Sequence, residues 1–298
     1  MVRTGLHHPT TLTGPPSLTV VGQREMKDSS RADEIGECFV REGYVIAAAE
    51  DLEALAYLSA NLSHEMTNWM KSEGVPITGT ELARSHESIT TERVNALRLH
   101  LFTHLNAQTN LRERYYGLAS KLLSDIVGNE LAMQTKVNLS IQQPDDLGSV
   151  LDIHSDVWTG DSPFQVVLWV PITKTTGTNA MFFLPPEPSY EAYRRVRAGE
   201  LRSMAEVRAA YDPQISVIEM KVGQVLVFNS NCLHGNQVNT TTTSRWSLNC
   251  RFVNLLAPAT NPERRLGSYY TPLTVRPATR MGLRAIDLMG LKTSTPEP

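Results

Sequence analysis

Hydrophobic positions along the chain fall into two regimes. Between residues 50 and 71, Leu55, Leu58, Leu62, Met66 and Trp69 recur at steps of three and four, the stripe of an amphipathic helix. Residues 88–106 carry Val94, Leu97, Leu101 and Leu105 on one face. Residues 111–127 carry Tyr115, Leu118, Leu122 and Ile126 ahead of Gly128, a suitable C-terminal stop. After Gly128 the pattern changes to short β-branched and aromatic runs at 136–143, 164–172, 180–184, 215–220, 224–229 and 246–255, bounded by Pro, Gly, Asn and Asp. Strands in series without crossover helices predict an antiparallel barrel or jelly roll, mainly β, with the N-terminal helices packed outside it.

Residues 185–213 interrupt the strand series. Tyr190, Tyr193 and Val196, then Met204, Val207 and Tyr211, predict one or two helices there. A jelly roll does not require this insert, which is either a surface excursion or a lid over the barrel mouth. Residues 1–34, rich in Thr, Pro, Gly and charge, read as a flexible leader without the apolar core of a signal peptide. From Pro258 onward the tail is rich in Pro and Arg, with little periodicity and no chemistry of its own. The expected organisation is this leader followed by one domain, 35–298. Its parts are a helical segment (35–130), a strand-rich core (131–257) carrying the insert, and a C-terminal extension (258–298).

A chain of 298 residues is long enough to bury a core. Lys plus Arg number 28 against 31 Asp plus Glu, a formal charge of -3, which disfavours a nucleic-acid partner. Cys38, Cys232 and Cys250 form no C-x-x-C pair, and an odd count argues for free thiols in a reducing compartment. The longest apolar run, 164–172, is far short of the roughly 20 residues that span a bilayer. The expectation is a cytoplasmic protein acting on a small molecule, with no nucleic-acid or membrane partner.

Candidate chemistry starts at His154-Ser155-Asp156. The period-two geometry of extended chain sends the imidazole and the carboxylate to one face. Two histidines and one carboxylate on one face of an octahedron hold iron(II) in oxygen-activating sites and leave positions open. His234, at the end of the run from Gly223 to Gly235, is the remaining histidine in the strand-rich half. Arg245 follows His234 after a ten-residue gap, and Ser247 shares its face of the next strand. A planar guanidinium pairs bidentately with a carboxylate, as the far end of a dicarboxylate co-substrate would require. Asn138 and Gln142, inward-facing on the first core strand, either touch co-substrate or substrate or make ordinary barrel hydrogen bonds. Trp158 and Trp169 are core or pocket lining. Asn236 either orients a ligand or stabilises a turn.

The H-x-D pair, the G-x-x-x-x-F strand leading to His234, and R-x-S after ten residues together resemble the phytanoyl-CoA dioxygenase-like branch of the iron(II)/2-oxoglutarate oxygenases, over about residues 136–256. The longer string from His154 to Pro163 resembles bacterial members associated with carbohydrate or secondary-metabolite gene clusters. The resemblance implies a cupin-like double-stranded β-helix. It implies Fe(II) held by His154, Asp156 and His234 as the catalytic centre, and 2-oxoglutarate held by Arg245 and Ser247 with O2 as second co-substrate. It also implies oxidation of a C–H bond in a small polar metabolite or natural-product intermediate, a sugar-containing one included, with release of succinate and carbon dioxide. Leu184-Pro185-Pro186-Glu187 stands where the acyl-CoA enzymes more usually carry a P-G-S-H turn, which argues against an acyl-CoA substrate. Asp156 favours hydroxylation over halogenation, because related halogenases replace this carboxylate by a small residue. Two other readings remain: a zinc-dependent jelly-roll isomerase or hydrolase, and a non-catalytic metabolite-binding jelly roll.

Overall fold

A computed structural model describes residues 28–290. The helices are α1 (Asp28–Glu42), α2 (Leu52–Ser72), α3 (Thr91–Ala107), α4 (Leu111–Gly117), α5 (Ser120–Val127), α6 (Pro186–Arg197), α7 (Met204–Tyr211) and α8 (Pro277–Met289). The strands are β1 (Tyr44–Ala48), β2 (Leu131–Gln134), β3 (Asn138–Gln142), β4 (Gln165–Pro171), β5 (Met181–Phe183), β6 (Ser216–Ile218), β7 (Gln224–Asn229), β8 (His234–Gly235), β9 (Arg245–Asn254) and β10 (Tyr270–Thr274).

The α2 stripe buries Leu55, Leu58, Leu62, Met66 and Trp69, as its spacing predicts, and Asp51 caps it by accepting a 2.8 Å hydrogen bond from the Ala54 amide. Each buried large side chain contributes about 1.5–3 kcal/mol. A cap is worth about 1 kcal/mol. The apolar face therefore sets how this helix docks, and the cap sets where it begins. The single helix expected over 111–127 is two helices, because Ala119 leaves helical geometry (φ -152°, ψ 33°). Glu50 stabilises the break: its carboxylate accepts from the backbone amides of Lys121 and Leu122 at the start of α5.

Two sheets form the jelly roll, and among the described residues the pairings between these strands are antiparallel. The larger runs β1-β7-β4-β9-β2-β10, with β3 also paired to β9; the smaller runs β6-β5-β8. The ten-residue β9 is the axis of the larger sheet. It pairs with β4 along one edge, and with β3 and then β2 along the other. Side chains alternate across it. Trp246, Leu248, Cys250 and Phe252 enter the main hydrophobic core with α2, α3 and Tyr115, while Arg245, Ser247, Asn249 and Arg251 occupy the opposite face. In β4, Val166, Leu168 and Val170 join that same core, and Val167 and Trp169 join a second cluster with Leu226 and Phe228 of β7. The interior of the jelly roll is thus apolar beneath β4 and β7 and polar beneath β9.

Several expectations change here. Residues 28–34, assigned to the leader, begin α1, and the remainder of the leader lies outside the described residues. β1 pairs with β7, although the helical first half was not expected to contribute a strand. The tail beyond Pro258 supplies β10, paired with β2, and the helix α8. Insert residues 185–213 form α6 and α7, and pack through Ala192, Leu201, Val207 and Tyr211 onto Phe182, Leu184, Leu233 and Ile153.

Candidate metal and co-substrate site

His234 lies in β8, the edge strand of the smaller sheet, opposite Phe183 of β5. His154 sits in extended chain on the free edge of β8. Each of these two histidines donates its amide to the other's carbonyl at 2.9 Å. The segments must approach closely: a Cβ on Gly235 would lie 2.6 Å from the Leu151 carbonyl oxygen and 2.9 Å from that of Asp152. Asp156 opens a short 3-10 turn directly after the extended Ser155, which returns its carboxylate toward both rings.

Both rings are oriented by their own backbone. Nδ1 of His154 donates to the Asp152 carbonyl at 2.7 Å, and Nδ1 of His234 to the Cys232 carbonyl at 2.9 Å. That tautomer leaves each Nε2 lone pair free to bind a metal. Each Nε2 lies 3.8 Å from Asp156 Oδ1, and one ligand atom from each of the three residues falls within 4.8 Å of the others. Burial pushes the His234 imidazole down to about 4, against the opposing pull of Asp156, so the ring is neutral as a metal ligand must be. Asp156 Oδ2 accepts from Arg251 Nη2 at 2.9 Å. One carboxylate oxygen is therefore committed to Arg251 and the other faces the histidines. Two imidazoles and a carboxylate on one side of a space with room beyond suit iron(II) with open positions.

A cavity of about 130 Å³ adjoins the three ligands and is lined by Val167, Trp169, Met181 and Phe228 on one wall and by Ser140, Arg245, Asn249 and Arg251 on the other. Arg245 is buried and faces no carboxylate among the described residues; its one hydrogen bond is Nη2 to Ser140 Oγ, at 3.1 Å. Among the described residues, its Nε and the hydroxyl of fully buried Ser247 have no partner. Burial lowers the Arg245 guanidinium to about 10, which leaves it charged at neutral pH. A buried, charged fork with an unsatisfied N–H on the cavity wall fits a carboxylate arriving from outside, whereas Ser247 shares its strand face but does not itself line the cavity.

The other predicted residues take different places. Asn138 Nδ2 donates to Asn249 Oδ1 at 3.1 Å, and Gln142 Nε2 to the Gln237 carbonyl at 2.6 Å, so both make barrel hydrogen bonds and neither lines the cavity. The free Gln142 Oε1 is an acceptor and does not suit a carboxylate. Ser140, midway between them, is the β3 residue that reaches the cavity. Asn236 ties the preceding loop in place, accepting from the Leu151 amide and donating to the Ser149 carbonyl. Trp169 lines the cavity, whereas Trp158 is exposed and meets the ring of Tyr193 of α6 at a tilt of 57°. No residue of 185–213 lines the cavity; Tyr193 of α6 instead donates to the Asn231 carbonyl. Arg251, Asn249 and Ser140 were missed, although polar residues at every second position of 245–251 were a readable signal.

A family model described as phytanoyl-CoA dioxygenase (PhyH) matches residues 40–247, over two thirds of the chain. The chain belongs to the phytanoyl-CoA dioxygenase family. It is accordingly a non-haem iron(II) enzyme with 2-oxoglutarate and dioxygen as co-substrates. Among solved structures, the non-haem monooxygenase ThoJ in its nickel complex aligns with TM-score 0.52 at 16% identity, over 82% of this chain and 85% of that one. AviO1 from Streptomyces viridochromogenes aligns at 0.50 and 16%, over 78% and 97%. SnoK, a non-haem α-ketoglutarate-dependent carbocyclase from nogalamycin biosynthesis, aligns at 0.50 and 16%, over 82% and 93%. Identities this low speak for the fold, which is that of the jelly-roll oxygenases. No curated protein matches the chain. Among the described residues no helix is long and apolar enough to cross a membrane.

Proposed function

We propose that His154, Asp156 and His234 hold the iron, that Arg245 with Ser247 holds the far carboxylate of 2-oxoglutarate, and that the enzyme hydroxylates a C–H bond of a natural-product intermediate. The observation that carries this is the pairing of three converging metal-ligand atoms with a buried arginine that has no carboxylate of its own among the described residues, on one cavity. A zinc isomerase or hydrolase has use for the ligands but none for an unpaired cation and hydroxyl beside them.

With iron bound, O2 would be the oxidant and 2-oxoglutarate would give up two of the four electrons it takes, so that substrate, 2-oxoglutarate and O2 would become alcohol, succinate and carbon dioxide. The protein's share is positioning. The backbone carbonyls of Asp152 and Cys232 fix both imidazole tautomers. Arg245 and Ser247 fix one end of the co-substrate, so that its other end is presented toward Nε2 of the histidines. Val167, Trp169, Met181 and Phe228 keep water from the reacting face. Asp156 occupies the position that a halide would need.

The cavity is small beside the roughly 300–1,000 Å³ of pockets that enclose whole ligands. It suits metal and co-substrate, and the substrate then lies across the mouth beside Leu151 and the half-exposed His154. SnoK, the structural neighbour from nogalamycin biosynthesis, supports a natural product as the class. The test is 2-oxoglutarate turnover with iron(II) under air, read as succinate formed. His154→Ala and His234→Ala should form none above background while keeping the wild-type circular dichroism. Wild-type succinate formation in either variant would remove that residue from the site.

A further inference from the structure

We infer that Arg251 is a positioning residue that holds Asp156 to one-oxygen metal binding, and that the C-terminal extension is what holds Arg251. The inference rests on Asp156 being a metal ligand. Its two carboxylate oxygens have different surroundings: Oδ1 faces both histidine Nε2 atoms at 3.8 Å, and Oδ2 accepts from Arg251 Nη2 at 2.9 Å. A carboxylate free of such a bond can turn and chelate the metal with both oxygens. That would consume one of the positions that a two-histidine, one-carboxylate site keeps open for co-substrates.

Arg251 is itself fixed from behind. Its Nε donates to Asp161 Oδ2 at 2.6 Å, and the Asp161 side chain is fully buried. Gln165 Nε2 donates to the same oxygen at 3.0 Å, and the Tyr270 hydroxyl donates to Gln165 Oε1. Arg264 forms an ion pair with Asp161 through Oδ1. Two carboxylates and two guanidiniums therefore alternate from the metal site to the extension, Asp156–Arg251–Asp161–Arg264. The alternation matters energetically, because removing one partner of a buried ion pair leaves the other charge uncompensated at a cost of about 3–5 kcal/mol. Without Arg264, Asp161 would draw on Arg251 alone, and Arg251 would be shared less evenly with Asp156. Arg264 and Tyr270 belong to the stretch that looked chemically empty in the sequence.

Cobalt(II), bound anaerobically in place of iron, reads affinity by titration and coordination by its visible bands. Arg251→Met should bind cobalt about 10- to 100-fold more weakly, the usual cost of losing a partner of a metal ligand. Its bands should also shift, since the carboxylate then binds differently. Arg251→Lys should restore part of the affinity, and Arg264→Met should shift both readouts in the same direction by less. Because Arg251→Met leaves Asp161 short of a partner, Arg251→Met/Asp161→Asn serves as a second variant that removes both charges; far-UV circular dichroism confirms that each is folded. Wild-type cobalt affinity and bands in the folded double variant would overturn the inference, and wild-type values in Arg264→Met would remove the extension from it. Asp156→Ala separates the two levels. If it too binds cobalt like wild type, the ligand assignment fails; if it alone is weakened, only the role of Arg251 does.

Discussion

Arg245 carries a full charge in a buried place and, among the described residues, has a serine hydroxyl as its one hydrogen-bond partner. Truncating one member of a buried charge pair costs about 2–5 kcal/mol. At about 1.4 kcal/mol per decade, Arg245→Ala should weaken 2-oxoglutarate binding roughly 30-fold to several thousandfold. Metal affinity should stay within a few-fold, because Arg245 touches none of the three ligands. Arg245→Lys should recover part of the loss, since an ammonium keeps the charge but not the fork. Anaerobic titration, following the charge-transfer band of the iron–2-oxoglutarate chelate, reads both constants, and an unchanged co-substrate affinity in Arg245→Ala would defeat the assignment. The cysteines give a second prediction at this scale. Burial pushes the Cys232 and Cys250 thiols up to about 12, so at pH 8 only about one in 10⁴ of each is thiolate. Raising pH toward 12 increases that fraction, but access still requires opening of the core. In native protein, iodoacetamide at pH 8 should modify the partly buried Cys38 first, with Cys232 and Cys250 reacting only on unfolding. Mass spectrometry of digested samples decides, and early modification of Cys232 would contradict the burial described.

At the scale of elements, the strongly periodic ones were legible in the sequence. The α2 stripe pairs obvious spacing with burial on the predicted face, and the apolar runs that became β4, β7 and β9 are deeply buried. β1, β2 and β10 were not legible, because each is four or five residues long and gains its burial from neighbours distant in the chain, as β1 does from β7. The break at Ala119 was hidden for a similar reason: the group that stabilises it, Glu50, lies 70 residues away. In the site, the ligand triad and Arg245 were readable from spacing, whereas Arg251 was masked as one more charge on a strand. The approach of β8 to the strand holding His154 yields a prediction of its own. In Gly235→Ala the new methyl meets backbone oxygens at 2.6 and 2.9 Å and cannot displace them as it could a flexible side chain. The two histidine-bearing segments must separate, with an expected loss of 1–3 kcal/mol of stability, typical of overpacking. Metal affinity should fall with it, although no ligand has changed. Urea denaturation and cobalt titration measure the two effects, and wild-type values in both would refute the close packing.

For the molecule as a whole, the metal site joins parts far apart in the chain. His154 and Asp156 come from the loop before β4, His234 from the smaller sheet, and the bracing of Asp161 from beyond residue 260. A chain ending at residue 257 should lose β10, Arg264 and Tyr270 together, exposing the β2 edge and leaving Asp161 with one cation. It should therefore melt at lower temperature and bind cobalt more weakly than full-length protein. A truncated form with an unchanged melting temperature would show the extension to be dispensable.

The reciprocal backbone bonds between His154 and His234 mean that the amides of both ligands are tied up by one another and by nothing else. Their exchange with deuterated water must therefore report a single event, the parting of two strands at the mouth of the jelly roll. A metal that binds both rings acts as a clasp on that parting, and stabilises the closed form by RT ln(1 + [metal]/Kd). At metal a hundredfold above Kd this is about 2.7 kcal/mol, so the two amides should slow together by roughly a hundredfold when cobalt is added.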